Sequence, residues 1–280
     1  SYFDYYTFDR RPTFYTNKLV DLLGTPREKD GELVERHYQI AGAMQRLFVV
    51  IVTHLMKITK TYGGSNNLVL SGGAAMNCVF NGLLDNINVY EDSHISYSPD
   101  DSGVAIGACL LAHYRHGKAE RVVEEVRNSN FGPSYVDEEI LTIINKYKLT
   151  YDKPTELTKT VAQGLADGKL VGWFQGSMEF GHRALGYRSI LADPRKEATK
   201  DKINAAVKYR ESYRPFAPAT LAEYAEDIFE MPKGRKVMFM ERAYDIKENW
   251  REKLGAVTHV DGSGRIQTVE RDCNPLFHKL

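Results

Sequence analysis

The stretch Asn67-Leu68-Val69-Leu70-Ser71-Gly72-Gly73-Ala74-Ala75 decides how the chain is read. Asn67 to Leu70 suits a short buried strand, Ser71-Gly72-Gly73 turns it, and a helix follows to about Leu84. A second unit of the same kind comes next. Its strand lies near Ile95 to Tyr97, its turn is Ser98-Pro99-Asp100-Asp101-Ser102-Gly103, and its helix runs from Val104 to about His116. Strands alternating with helices indicate α/β architecture.

Upstream, Ile40, Met44, Leu47, Phe48, Ile51, Leu55 and Ile58 follow a 3.6-residue period, which predicts a helix from roughly Glu32 to Tyr62. Gly63-Gly64 ends it. Downstream, Lys118 to Arg127 is charged and helix-like, and Asn128-Ser129-Asn130-Phe131-Gly132-Pro133-Ser134 is rich in turn residues, as in an interdomain linker. Helices are expected over Asp137–Tyr147, from a Thr155 cap to Asp167, and near Ala198–Val207 and Glu223–Phe229. Strands are expected over Leu170–Phe174 and near Ser189–Ala192, Val237–Glu241 and Arg265–Val269. This second half reads as α+β.

The 280 residues are 42% hydrophobic and 26% charged, enough for a sizeable core. Lys+Arg and Asp+Glu are 37 each, which argues against a chain basic throughout, though not against a local patch. Three scattered cysteines give neither zinc spacing nor a disulfide framework, so a reducing, cytoplasmic setting is expected. Cys78 and Cys109 are expected to be buried and inert. The most apolar run, Leu47 to Leu55, is short and flanked by Arg46 and Lys57, so no membrane association is expected. The start carries no initiator Met or leader, and the last residues open like a new helix, which suggests a fragment.

Three places suggest chemistry. Gly72 and Gly73 let backbone N–H groups approach an anion at a helix start, or make a tight turn with no ligand. Asn77 and Asn81 lie one turn apart on the following helix and could bind a ligand or cap backbone. Asp101 with Gly103 could place a carboxylate for a nucleotide-bound cation, or be an ordinary helix start. The two turns are about thirty residues apart and suit phosphate bound at strand ends. The third place runs from Gly176 to Arg195, where three glycines interrupt the chain and Arg183 and Arg188 fit no helical period. Residues 182–214 hold nine Lys/Arg against four Asp/Glu, a net +5 in a neutral chain. Forked guanidinium groups on a glycine loop suit phosphate or carboxylate; a solvated basic face and an RNA surface are the alternatives. His113 and His116 have metal-compatible spacing but no obvious third ligand.

Leu70-Ser71-Gly72-Gly73-Ala74-Ala75-Met76-Asn77-Cys78 with Asn81-Gly82, Pro99 with Asp101-Ser102-Gly103-Val104-Ala105-Ile106-Gly107-Ala108, and the loop from Met178 to Arg195 together resemble the antibiotic and nodulation-factor O-carbamoyltransferases. The resemblance covers essentially the whole chain. It implies the C-terminal part of an actin/sugar-kinase-like ATPase domain over 1–118, a linker over 119–136 and an α+β YrdC-like domain over 137–280, both domains incomplete. It implies two steps. Carbamoyl phosphate and ATP first give carbamoyl adenylate, with loss of phosphate and pyrophosphate, and the carbamoyl group then passes to a hydroxyl of a small metabolite. By this resemblance Arg183, Lys208 and Arg214 are the substrate-binding and catalytic cations, joined by Arg188 and Arg265. Gly72, Gly73, Asn77 and Gly103 bind nucleotide in the first domain, and Asp101 is a metal ligand. ATP with Mg²⁺ and a further divalent metal, with Fe²⁺ the implied choice, are the cofactors. The partners are carbamoyl phosphate, ATP and a hydroxylated acceptor, with nucleic acid disfavoured and a homo-oligomer open.

His182 stands where the family loop usually has Pro, and Tyr187 where it usually has Asn. Nothing before Tyr38 supplies the family's paired metal-binding histidines, and its C-terminal Asn-Thr-Ser-Phe-Asn stretch is absent. The chain is therefore expected to be an internal piece that does not complete the transfer alone. A tRNA threonylcarbamoylation role and a non-catalytic nucleotide- or anion-binding module are the competing readings.

Overall fold

A computed structural model describes residues 15–117, 120, 126–208 and 213–280, with the side chain of Lys208 outside the description. Most of the helix-like segment 118–127 also lies outside it. The chain divides into two compact units, Ser1–Gly64 and Ser65–Leu280.

In the first unit, helix α1 (Asn17–Leu23) precedes the long helix α2 (Glu35–Thr61). The Val34 N–H donates to His37 Nδ1 (3.1 Å), which closes the start of α2. Gly63 and Gly64, both at positive φ, follow its end. Its apolar residues remain largely exposed, and Met56 alone is buried. By length and composition α2 is, among the described residues, the one helix able to cross a membrane. A search for an unbroken apolar run misses this, because Arg46 and Lys57 interrupt a stretch that is apolar on average.

The second unit starts with strand β1 (Asn67–Leu70), a 3₁₀ turn and helix α3 (Cys78–Ile87), then strand β2 (Asp92–Ile95) and helix α4 (Gly103–His116). The strands β1 and β2 pair in parallel, Leu70 opposite Ile95, so both turns emerge side by side. Helices α5 (Asp137–Tyr147) and α6 (Leu157–Ala166) lead to the antiparallel pair β3 (Val171–Phe174) and β4 (Arg188–Leu191). Then come α7 (Ala198–Ile203), β5 (Ala219–Leu221), α8 (Ala225–Ile228), β6 (Ala243–Asp245), α9 (Glu248–Arg251), β7 (Ser263–Arg265), β8 (Gln267–Val269) and α10 (Pro275–Lys279). β5 pairs with β8 in parallel and β6 with β7 antiparallel. The fold is thus mixed helix and strand.

The core centres on Phe229, Val237, Tyr244, Ile246 and Ile266, with a smaller cluster of Leu185, Phe239 and Met240. Arg242 is buried to 2% exposure. It donates to the carbonyls of Asn81 (2.7 Å) and Ser93 (2.9 Å) and lies 3.4 Å from Asp85. Asp85 also accepts from Tyr244 Oη (2.6 Å) and Arg235 (2.7 Å). A buried guanidinium needs this many acceptors. Gly82 makes the approach possible: a Cβ there would stand 1.9 Å from the Ala243 carbonyl oxygen.

Several expectations need correction. The strand at Val237–Glu241 is absent. Met240 sits at φ 56, outside strand geometry, and pairing starts instead at β6. The second strand ends at Ile95 rather than beginning there. Helix α6 starts at Leu157 after Glu156, with no side-chain cap from Thr155. Cys109 is exposed, because no residue of α4 is buried here, and Cys78 is half-buried. Part of the turn-rich segment is packed: Ser129 is 1% exposed. Its carbonyl accepts from Phe180 N–H (2.6 Å), and Gly132 N–H donates to Met178 O (2.9 Å).

Candidate anion-binding site

The arginine loop is wound around one carboxylate. Gly176, Gly181 and Gly186 all take positive φ, which lets a short segment reverse repeatedly. Within it the Glu179 side chain is fully buried. Its Oε1 accepts from the N–H groups of Leu185 (2.7 Å), Tyr187 (2.8 Å) and Arg188 (3.3 Å). The Arg188 Nε lies 3.3 Å from Glu179 Oε2, and its Nη2 donates to the Gly181 carbonyl (2.6 Å). Arg188 therefore closes the loop on itself. Trp173 Nε1 donates to Gly186 O (3.0 Å), anchoring the loop to β3. Nothing in the local pattern of the sequence marks Glu179 as the organiser, beyond its place as a lone acid between glycines.

Arg183 differs from Arg188. It is half-buried and, among the described residues, makes no hydrogen bond or ion pair. Burial lowers its pKa, so the charge it holds is poorly solvated. It lines a small cavity with His182, Met76, Pro99 and Glu241. Burial raises the Glu241 carboxyl above its usual range. His182 Nδ1 stands 3.8 Å from Asp100 Oδ2. Burial and the Arg183 charge hold His182 below the usual histidine range, Asp100 opposes them, and the Arg265 charge adds to the lowering. The structure thus brings Arg183, Arg265 and Asp100 within electrostatic reach of His182.

The turns border the same cavity through Met76 and Pro99. Gly72 N–H donates to Pro99 O (2.6 Å), and Ser71 Oγ donates to the same oxygen (3.2 Å). The Gly72 amide is spent on joining the two turns. Gly73 faces open space, with nothing within 4 Å of where its Cβ would be. Asn77 Oδ1 accepts from Phe80 N–H (3.1 Å), the capping role. Asn81 donates to Ala75 O (2.7 Å) and Glu241 O (2.8 Å), a structural use. Gly103 allows the Ser98 carbonyl to approach; a Cβ would lie 2.2 Å from it.

Asp101 is exposed, and it is its neighbour Asp100 that faces His182. Asp100 Oδ1 accepts from Ser102 Oγ (2.6 Å) and Ser98 Oγ (3.2 Å). The Ser102 hydrogen bond, with smaller help from Ser98 and His182, holds its pKa below the usual range against desolvation. The Arg214 carbonyl accepts from Asn204 Nδ2 (3.3 Å). The Lys208 side chain lies outside the described residues.

Metal donors do not gather at Asp101. Among the described residues the one grouping of three ligand atoms is Glu270, Asp272 and Cys273. Arg127 bridges both carboxylates and Lys236 holds Glu270 (2.8 Å), so cations already occupy it. Burial, with help from Glu270, pushes the Cys273 thiol up to about 11, away from the thiolate a metal needs.

Two parallel strand ends thus face a glycine loop whose Arg183 guanidinium has no hydrogen-bond or ion-pair partner among the described residues, an arrangement that suits a phosphate or carboxylate. The sequence comparisons make this more specific. A family model for the carbamoyltransferase N-terminus matches residues 2–110, and one for the carbamoyltransferase C-terminus matches residues 162–280. The chain belongs to the carbamoyltransferase family. It is 38% identical over 256 residues to nodulation protein NolO of Bradyrhizobium diazoefficiens, covering 90% of this chain and 46% of that protein. It is 36% identical over 212 residues to nodulation protein U of Azorhizobium caulinodans, covering 74% and 35%. It is 32% identical over 219 residues to the 3'-hydroxymethylcephem-O-carbamoyltransferase of Amycolatopsis lactamdurans, covering 76% and 38%. The chain spans less than half the length of each of these relatives.

Proposed function

We propose that the protein containing this chain is an ATP-dependent O-carbamoyltransferase that modifies a hydroxyl of a small metabolite. One observation carries the reading: Arg183 is a half-buried guanidinium without a partner among the described residues, presented by a preorganised loop to the ends of β1 and β2. A protein does not normally leave such a charge unmatched unless an anion completes it. Membership of the carbamoyltransferase family supplies the group transferred, and the named activity of the cephem relative supports a hydroxyl acceptor.

On this reading residues 137–280 form a YrdC-like domain and residues 1–118 the end of an actin/sugar-kinase-like domain. Carbamoyl phosphate, water and ATP give carbamoyl adenylate, phosphate and pyrophosphate. Arg183, with Arg265, Lys208 and Arg214, neutralises charge on the phosphoryl oxygens as it develops. Arg188 acts through the loop, fixing the backbone that aims Arg183. Since Glu179 already holds the loop, little reorganisation is needed when substrate binds. The acceptor hydroxyl then takes the carbamoyl group and AMP leaves. Gly73 offers the open backbone approach for nucleotide.

Mg²⁺ would arrive bound to ATP. A resident iron does not fit what this chain offers. Asp101 is a single exposed carboxylate, and no further donor is gathered around it among the described residues. No step is routed through such a metal. The compartment we assign is the cytoplasm, where both phosphate substrates are made. The full-length protein should release pyrophosphate from ATP only when carbamoyl phosphate is present. Release that ignores carbamoyl phosphate would overturn the adenylation step, and ligand binding without release would indicate a non-catalytic module.

A further inference from the structure

Beneath the arginine loop lies a second cavity, away from Arg183. It measures about 30 Å³ and is lined by Ser129, Asn130, Tyr187, Gln267 and Asn274, among others. Ser129 is 1% exposed, Gln267 6% and Asn274 7%. Each has a buried polar atom with no hydrogen-bond partner among the described residues: Ser129 Oγ, Gln267 Oε1 and Asn274 Nδ2. Asn130 Oδ1 is a fourth. Four such atoms around one small space are far from random, because unpaired buried polar groups are rare and each is costly.

The amide orientations are fixed by their other ends. Gln267 Nε2 donates to Leu185 O (3.0 Å), which turns Oε1 away from that carbonyl. Asn274 Oδ1 accepts from Phe277 N–H (3.2 Å) and Gln175 Nε2 (2.8 Å), which leaves Nδ2 on the other side. Rotating either amide would break these bonds, so Gln267 Oε1 and Asn274 Nδ2 keep their orientation. The set offers two pure acceptors, one pure donor and one hydroxyl that can be either.

We propose that this cavity is a binding site for a small uncharged guest that both donates and accepts hydrogen bonds. A water needs roughly 10–15 Å³, so the space holds about two waters, or one group the size of a carboxamide. A charged guest is disfavoured, since Glu270 and Arg127 also line the space and already pair with each other. The guest joins four parts of the chain: the Ser129–Asn130 segment, the loop at Tyr187, β8 at Gln267 and the start of α10 at Asn274. Tyr187 is drawn in because its hydroxyl donates to Cys273 O (3.1 Å) and hydrogen-bonds the Asn130 side chain. The site stands whether or not the carbamoyl reading holds.

A crystal structure of the full-length protein that resolves internal solvent tests this, with a second data set from crystals soaked in acetamide. The expected result is density within hydrogen-bond distance of Asn274 Nδ2 and Gln267 Oε1. Unchanged density after the soak identifies water, and replacement by a planar amide identifies the carboxamide class. Gln267→Leu should lose at least one peak while the loop keeps its course. A dry cavity, direct pairing of the four atoms with one another, or peaks indifferent to Gln267→Leu would overturn the proposal.

Discussion

Arg188 and Glu179 sit 3.3 Å apart inside the arginine loop, while Arg183, five positions before Arg188, has no such partner among the described residues. Two arginines of one motif therefore have opposite uses. Arg188 belongs to the scaffold, and on the proposed function Arg183 is the one left to meet an anionic ligand.

The contrast gives the first prediction. Arg183→Ala should change stability by no more than about 0.5 kcal/mol, since no hydrogen bond or ion pair with a described residue is lost. Carbamoyl-phosphate-dependent pyrophosphate release should fall by about 10²–10³-fold, as for a lost oxyanion-stabilising donor. Urea titration and a pyrophosphate assay on the full-length protein read both. A large stability loss with activity retained would reverse the assignment.

Glu179→Ala should behave differently. It strands the N–H groups of Leu185, Tyr187 and Arg188, each worth about 1–3 kcal/mol when buried and unpaired. The expected loss is several kcal/mol, seen as a lower urea midpoint, with loss of activity following the loss of loop structure.

Breaking the buried Arg242–Asp85 contact should cost about 3–5 kcal/mol, because Asp85→Ala leaves a charge in the core without its partner. Arg242→Met should cost less than Asp85→Ala, since it removes the charge and keeps the bulk.

His259 sets a pH dependence. Burial holds its pKa below the ordinary value of about 6.5, Asp261 opposes this and Arg265 adds to it. A depressed folded-state pKa means that the unfolded chain binds the proton first. The contribution is whole above about pH 6.5 and disappears as pH falls through the lower folded-state value. Urea midpoints measured downward from neutral pH should drop less in His259→Asn than in the wild type.

Two glycine substitutions separate fold from ligand approach. Gly186→Ala should destabilise strongly, since Gly186 has φ 96 and a Cβ would lie 2.4 Å from the Phe277 ring. Gly73→Ala meets nothing within 4 Å and should leave the urea midpoint unchanged. If nucleotide approaches that turn, Gly73→Ala should still weaken ATP binding by calorimetry.

Local patterns were readable where one physical signal dominated. The 3.6-residue period gave α2 to within three residues at its start, and Asn67–Leu70 is a strand as expected, though its residues are exposed or half-buried where a buried strand was expected. The Gly72 and Asp100 turns do emerge together, because consecutive strands joined by a helix pair in parallel. The strand at Val237–Glu241 failed because an apolar run does not report a positive φ at Met240. Asp101 could not be told from Asp100, since which of two adjacent carboxylates faces the loop depends on a residue more than eighty positions away. The roles of Arg188, Glu179 and Arg242 were equally hidden. Pairing across long sequence separations leaves no periodic trace.

Arg242 also bears on how the protein can be taken apart. Its buried guanidinium rests on carbonyls of Asn81 and Ser93, which belong to the segment matching the N-terminal family model, while Arg242 itself lies in the segment matching the C-terminal one. Cutting the chain between 110 and 162 would leave a cation enclosed by the second piece without its acceptors, and a bare cluster of acceptors on the first. Residues 65–280 should accordingly melt in a single cooperative transition, and neither piece should be obtained as a well-folded product by expression alone.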